Sequence, residues 1–170
     1  MQPINNKDTL VIELINEYEK IHENIYDNSQ RLETKSQINA SIAGIFIAFV
    51  FSATKDLKHV FDKIELLTIY ISFGCLIVCI VLSIATLFIR FKKYNPNCQI
   101  MDDLLNVLNN ENFNEYIGNF YNTLLDNWKN RVNNARKQSM FKAICVIAAQ
   151  IFLFSAVISI SFLTYHFLSR

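Results

Sequence analysis

Three stretches of this chain carry no charge. Residues 37–53, 66–89 and 143–168 contain no Asp, Glu, Lys or Arg and hold most of the large apolar side chains. A helix needs about 20 consecutive apolar residues to cross a hydrocarbon core about 30 Å thick. The second and third stretches meet that length outright. The first is shorter, and it can cross a thin bilayer or one dimpled by polar residues at its flanks. The pattern predicts an integral membrane protein with spans at 37–54, 66–90 and 143–168.

Hydrophobic residues make up 52% of the chain and charged residues 18%, yet the mean hydropathy is only +0.21. Long polar segments must therefore alternate with the apolar ones. At 170 residues there is room for one compact unit and no large separate soluble domain. A net charge of +1 gives no reason to expect duplex nucleic acid as a partner. Three glycines and two prolines leave few breaks, which favours long helices over strands and turns. The expected fold is all-α.

The opening residues, Met1-Gln2-Pro3-Ile4-Asn5-Asn6-Lys7-Asp8, lack the basic start and apolar core of a signal peptide. The first span is therefore expected to act as its own insertion signal. Its eight large apolar residues, from Ile38 to Phe51, contribute roughly −2.4 to −4.8 kcal/mol before Asn39 is subtracted. Basic residues flank the spans unevenly. Arg31 and Lys35 precede the first, Arg90, Lys92 and Lys93 follow the second, and Arg131, Arg136, Lys137 and Lys142 precede the third. The positive-inside bias predicts a cytoplasmic N-terminus, a cytoplasmic segment 91–141 and an outward C-terminus. Lys55, Lys58 and Lys63 in the first loop run against that bias.

Cys75, Cys79 and Cys145 lie inside spans, where a free thiol behaves as a small apolar group, and Cys98 stands alone in the cytoplasmic segment. No C-x-x-C pair occurs, and His22, His59 and His166 have no ligand spacing. No metal or cofactor is expected. Nor does any Gly-rich phosphate loop, G-x-S-x-G or H-E-x-x-H occur, and the acidic residues Glu13, Glu17, Glu19 and Glu23 read as a solvated helix face. The chain is not expected to be an enzyme.

Two polar segments carry helical patterns. Val11, Leu14, Tyr18, Ile21, Ile25, Asn28 and Leu32 recur at alternating intervals of three and four, a heptad seam within a helix at 8–35. Its partner is either the chain's own cytoplasmic segment or the same helix of other protomers, where Asn28 could fix register and copy number. In the cytoplasmic segment, Leu104 to Leu108 form one apolar stretch, and Asn95-Pro96-Asn97 marks a turn. Phe113, Ile117, Phe120, Leu124 and Trp128 form a stripe that reads as core. With no Gly or Pro after Gly118, a helix is expected from about Asn112 to Leu168, running from the cytoplasm into the third span.

Inside the spans, Ala40, Gly44 and Ala48 make a small-residue ridge that lets helix backbones approach closely. Thr68, Ser72, Cys75, Cys79, Ser83 and Thr86 make a weakly polar face on the second span. Either set packs within one protomer or lines an interface or water path between several. With no charge within the spans, a selective ion filter is not expected, and a weakly selective opening is.

The run Arg31-Leu32-Glu33-Thr34-Lys35-Ser36-Gln37-Ile38-Asn39-Ala40 resembles the D-T-K-A-type lead-in to the first span of Pycsar transmembrane effectors. Glu33 stands at the acidic position, while Ser36, Gln37 and Asn39 depart from the small apolar pattern. The run Asn134-Ala135-Arg136-Lys137-Gln138-Ser139-Met140-Phe141-Lys142-Ala143 is similar to the basic A-R-K-x-x-x-x-K-A lead-in to their last span. A related resemblance is to the SLATT group of antiviral membrane effectors. These resemblances imply an oligomeric effector of bacterial antiphage defence in the inner membrane. A companion cyclase or nucleotidyltransferase-like protein would make a cyclic nucleotide or oligonucleotide signal, and the effector would impair the membrane. The chain has no recognisable nucleotide-binding domain. Arg131, Arg136, Lys137 and Lys142 are the cluster available to a phosphate, or else a topology signal that meets lipid headgroups. The alternative function is a passive membrane anchor that recruits a soluble partner through its cytoplasmic helices.

Overall fold

Few residues here interrupt a helix, and the chain forms three long ones. The structure, a computed structural model, describes residues 6–56, 62–89 and 113–169. Helix α1 runs Asn6–Asp56, α2 Lys63–Phe88 and α3 Phe113–Leu168, and no strand occurs among the described residues. The polar helix at 8–35 and the first span are thus one uninterrupted helix of 51 residues. Ser36 at their junction causes no break, because its hydroxyl donates to the carbonyl of Ser83 on α2 at 2.8 Å rather than competing for its own backbone. Asp62 precedes α2, and its amide donates to Glu65 Oε2 at 2.9 Å, which satisfies a backbone donor at the helix start. Arg90, Lys92, Lys93, Cys98, the turn at Asn95-Pro96-Asn97 and the Leu104–Leu108 stretch lie outside the described residues. So do the side chains of Val11, Phe113, Ile117 and Phe120.

Each helix buries a line of residues seven apart. On α1 it is His22, Ser29, Ser36, Ala43 and Val50; on α2, Glu65, Ser72, Cys79 and Thr86; on α3, Trp128, Ala135, Lys142, Ala149 and Ala156. A second buried position follows at the heptad offset, Asn39 on α1, Leu76 and Ser83 on α2, and Val132 and Val146 on α3. This is the spacing of packed, coiled-coil-like helices. Most of these residues are small, as close backbone approach requires.

The chain divides into two compact units. The first comprises Met1–Asn28 and Phe91–Ser139, the second Ser29–Arg90 and Met140–Arg170. In the first, the ring of His22 meets Trp128 edge-on with centroids 5.9 Å apart, and Val132 and Ala135 are also buried. In the second, Ala43, Leu76, Cys79, Ala149 and Ala156 form the core, with Phe46, Ile80, Phe152 and Ile160 packed against it. Here α2 runs antiparallel to α1, since Ser36 meets Ser83 while Phe51 meets Phe73 further along.

The second unit is apolar on its outside. Ile45, Phe49, Tyr70, Val81, Ile151, Phe154 and Ile158 are all more than half exposed. Of the most apolar stretch of each helix, only 22%, 28% and 22% is buried within the protein. All three helices are long and apolar enough to cross a membrane, and an apolar surface of this extent fits a multi-pass membrane protein with lipid as its covering.

Neighbouring positions on α1 separate inward from outward faces. Ala43 is fully buried, whereas a Cβ added at Gly44 would meet nothing within 4 Å. Ala43→Leu is expected to destabilise the protein by about 1–3 kcal/mol through overpacking, and Gly44→Leu to leave it within about 0.5 kcal/mol. Thermal unfolding in detergent micelles checks the contrast.

Candidate functional site

The most costly group in the second unit is a buried cation. Lys142, on α3, is fully buried. Its ammonium donates to Ser29 Oγ at 2.8 Å and forms an ion pair with Glu33, both on α1. The Glu33 side chain is 35% exposed, so the pair joins a dehydrated charge to one at the protein surface. Heptad spacing explains the convergence. Ser29 is one turn before Glu33 on the inward face of α1, and Lys142 holds a core position of α3. A lone ammonium in such a place is severely penalised, so the carboxylate is a condition of burying the lysine.

Beyond this pair the interior stays polar for two turns and then becomes apolar. The Ser36 hydroxyl reaches Ser83 O, and the Cys79 thiol faces the carbonyl of Asn39 at 4.0 Å. Ala43, Leu76, Ala149 and Ala156 follow. At the far end His166 Nδ1 lies 3.4 Å from Glu65 Oε1, with Glu65 buried and Phe162 stacked on the imidazole. Lys142 and His166 are 24 positions apart on one helix, about 36 Å at 1.5 Å per residue, which spans a hydrocarbon layer of about 30 Å.

The residues singled out from sequence fall differently. Of the weakly polar face of α2, Ser72, Cys79, Ser83 and Thr86 are buried inside the unit, with Thr68 and Cys75 half-buried. The Thr68, Ser72 and Thr86 hydroxyls donate to carbonyls one turn back on their own helix. The ridge behaves otherwise. Gly44 and Ala48 are exposed and Ala40 is half-buried, so it is not the packing face of α1. The heptad seam is displaced by one residue on one of its two lines. Tyr18, Ile25 and Leu32 are half-buried, but Leu14 and Asn28 are exposed, Ile21 is only half-buried, and His22 and Ser29 are buried in its place. Within the protomer the buried line runs one position later, through the half-buried Ile15 and the buried His22 and Ser29.

Among the four basic residues, Arg136 and Lys137 are exposed and Arg131 is half-buried. Lys142 is not open to a phosphate, because Glu33 and Ser29 occupy its ammonium and no solvent reaches it. Sequence reasoning missed Glu33, Ser29 and Glu65 as structural partners. The available signal was an acidic residue and a lysine each at the lead-in to a span. Among the described residues, no three His, Cys, Asp or Glu side chains converge in a way that could hold a metal.

Burial against Trp128, reinforced by the Arg131 charge and opposed by Glu23, holds the His22 imidazole below its ordinary pKa. Above about pH 6.5 neither folded nor unfolded chain carries this proton. As pH falls below that value the unfolded chain takes it up first, so stability declines toward the lower, folded pKa. Trp128 is the single tryptophan, and its fluorescence is expected to report easier unfolding at pH 5.5 than at 7.5. In His22→Leu that difference shrinks.

Glu33→Gln leaves the Lys142 charge buried without its counterion and is expected to cost about 3–5 kcal/mol. Lys142→Met is expected to cost less, because the abandoned Glu33 can turn to water. Urea unfolding in mild detergent ranks the two, and equal losses contradict this reading. Comparison of the chain with protein-family models, with curated proteins and with solved structures gives no match at any of the three.

Proposed function

We propose that this chain is an oligomeric membrane effector of a bacterial nucleotide-signalling antiphage system, which permeabilises the inner membrane when a companion cyclase or nucleotidyltransferase-like protein signals infection. One observation carries the reading. The two runs that resemble the span lead-ins of Pycsar transmembrane effectors each supply one partner of the buried pair, Glu33 from the first and Lys142 from the second. The resemblance thus falls on residues with a physical task in this protein.

In this reading the N-terminus and segment 91–141 are cytoplasmic and the C-terminus is outside, as the positive-inside bias suggests. The signal, or release of an inhibitory partner, acts on the cytoplasmic helices. Helices α1 and α3 each continue without a break into an apolar span, so a change in cytoplasmic packing has a stiff route to the membrane. A ligand drives such a change only by its difference in affinity for two states. The ridge of half-buried Ala40 and exposed Gly44 and Ala48 is the surface through which protomers meet. Arg131, Arg136 and Lys137 serve the signal's phosphate or lipid headgroups.

Induced expression together with the companion enzyme is expected to depolarise cells and arrest growth. Gly44→Ile, which points away from the protomer core, is expected to abolish toxicity while leaving the protein folded and in the membrane. A membrane that stays polarised during toxic expression contradicts the reading. Harmless expression, with full activity in Gly44→Ile, favours a passive anchor for a soluble partner.

A further inference from the structure

The polar half of α1 presents two neighbouring faces. One is used within the protomer: His22 and Ser29 are buried, and the His22 ring meets Trp128 of α3. The other lies about 100° round the helix, one residue earlier in each heptad, and carries Leu14, Ile21 and Asn28. Leu14 is 48% exposed, Asn28 is exposed and Ile21 is half-buried. Tyr18, Ile25 and Leu32, all half-buried, lie between the two faces and border both. From Leu14 to Leu32 the steps are four, three, four, three and four, the spacing of a coiled-coil seam. Charge keeps off this face. Glu13, Glu19, Lys20, Glu23 and Asp27 fall at other helix positions, with Glu17 and Arg31 at its edge.

We propose that this second face is a seam between copies of the chain, α1 against α1, parallel and in register. It deepens the oligomeric reading above and rests on it for the presence of a second copy in the same membrane. The first argument for that occupant is geometric. Helix α1 continues without a break into an apolar span, so copies inserted the same way in one bilayer present this stretch in one direction and at one height. Equivalent residues then meet, and a seam that pairs each residue with itself is in register from the start. The second argument is Asn28, the seam's one amide. A carboxamide carries both donors and an acceptor, so Asn28 opposite Asn28 satisfies itself. A shift of one heptad sets it against Ile21 instead and buries the amide on an aliphatic neighbour, which is costly. A polar residue at a single seam position selects register and copy number in this way. The competing occupant is the chain's own apolar stretch Leu104–Leu108. Its five residues, coiled as a helix, would cover about 8 Å, against about 27 Å from Leu14 to Leu32.

Disulfide cross-linking of the full chain in membranes isolated from expressing cells tests the seam. A disulfide forms only where the two Cβ atoms come within about 4.5 Å. With copper phenanthroline as oxidant, Leu14→Cys is expected to give a covalent dimer about tenfold above the wild type, whose own cysteines set the background. Glu13→Cys, one position away and off the face, is expected to stay at that background. Equal yields from the two overturn the seam. So does a bond within one chain from the thiol introduced at position 14 to Cys98, which puts the chain's own segment on this face. Asn28→Asp sets like charges against each other, and added to Leu14→Cys it is expected to cut the dimer about tenfold. Helical circular dichroism is expected to hold, since Asn28 is exposed in the protomer. If it falls, Asn28→Lys repeats the repulsion with the opposite charge. An undiminished dimer in a folded variant overturns the role of Asn28. Cross-linked copies in a protein harmless to cells contradict the defence reading alone, whereas depolarisation by a chain whose Leu14→Cys variant stays monomeric overturns the seam alone.

Discussion

The second unit carries more apolar surface than a water-soluble domain. Its outside is rich in Ile, Phe, Val and Leu, while Ser29, Ser36, Asn39, Glu65, Ser72, Ser83, Thr86 and Lys142 lie inside with Ala43, Leu76, Ala149 and Ala156. In water such a surface drives aggregation, and in lipid it costs nothing to expose. Lipid also removes the hydrophobic drive for helices to associate, leaving van der Waals contact and hydrogen bonds to hold them. The heptad lines of Ser and Ala serve the first need, and the Ser36–Ser83 and Lys142–Ser29–Glu33 contacts serve the second. With no water to satisfy stray backbone groups, helices without breaks are the available form. Three glycines and two prolines in the whole chain meet that demand.

The Glu33–Lys142 pair joins residues 109 positions apart and fixes the relative register of α1 and α3. Sliding either helix by one turn would leave the Lys142 charge buried without its counterion, at a penalty of several kcal/mol. The pair therefore contributes specificity more than net stability. At the far end Glu65 on α2 lies 3.4 Å from His166 on α3. Between the two lie only neutral side chains, over a length matched to a hydrocarbon layer.

The three spans were legible because charge is absent from them, a property that needs no partner to be read. Pairing was not. Nothing local to Glu33 or Lys142 tells that they meet, and a lysine among other basic residues reads as one more surface cation. Within one protomer the buried line of α1 runs through His22, Ser29 and Ser36, residues an apolar template skips. On α2 the weakly polar face coincided largely with the buried one, since small polar residues are the packing residues of a lipid-facing bundle. The ridge at Ala40, Gly44 and Ala48 shows the limit of that rule: equally small, its Gly44 and Ala48 are exposed.

Everything rests on lipid as the medium around residues such as Ile45, Ile77 and Ile151, all more than half exposed. Spin labels at these positions, in the full chain reconstituted into bilayers, measure that medium through collisions with oxygen and with a water-soluble nickel chelate. Lipid exposure predicts frequent oxygen collisions and almost none with nickel at all three sites. Ready access of the nickel chelate would show water against the helices and contradict the account.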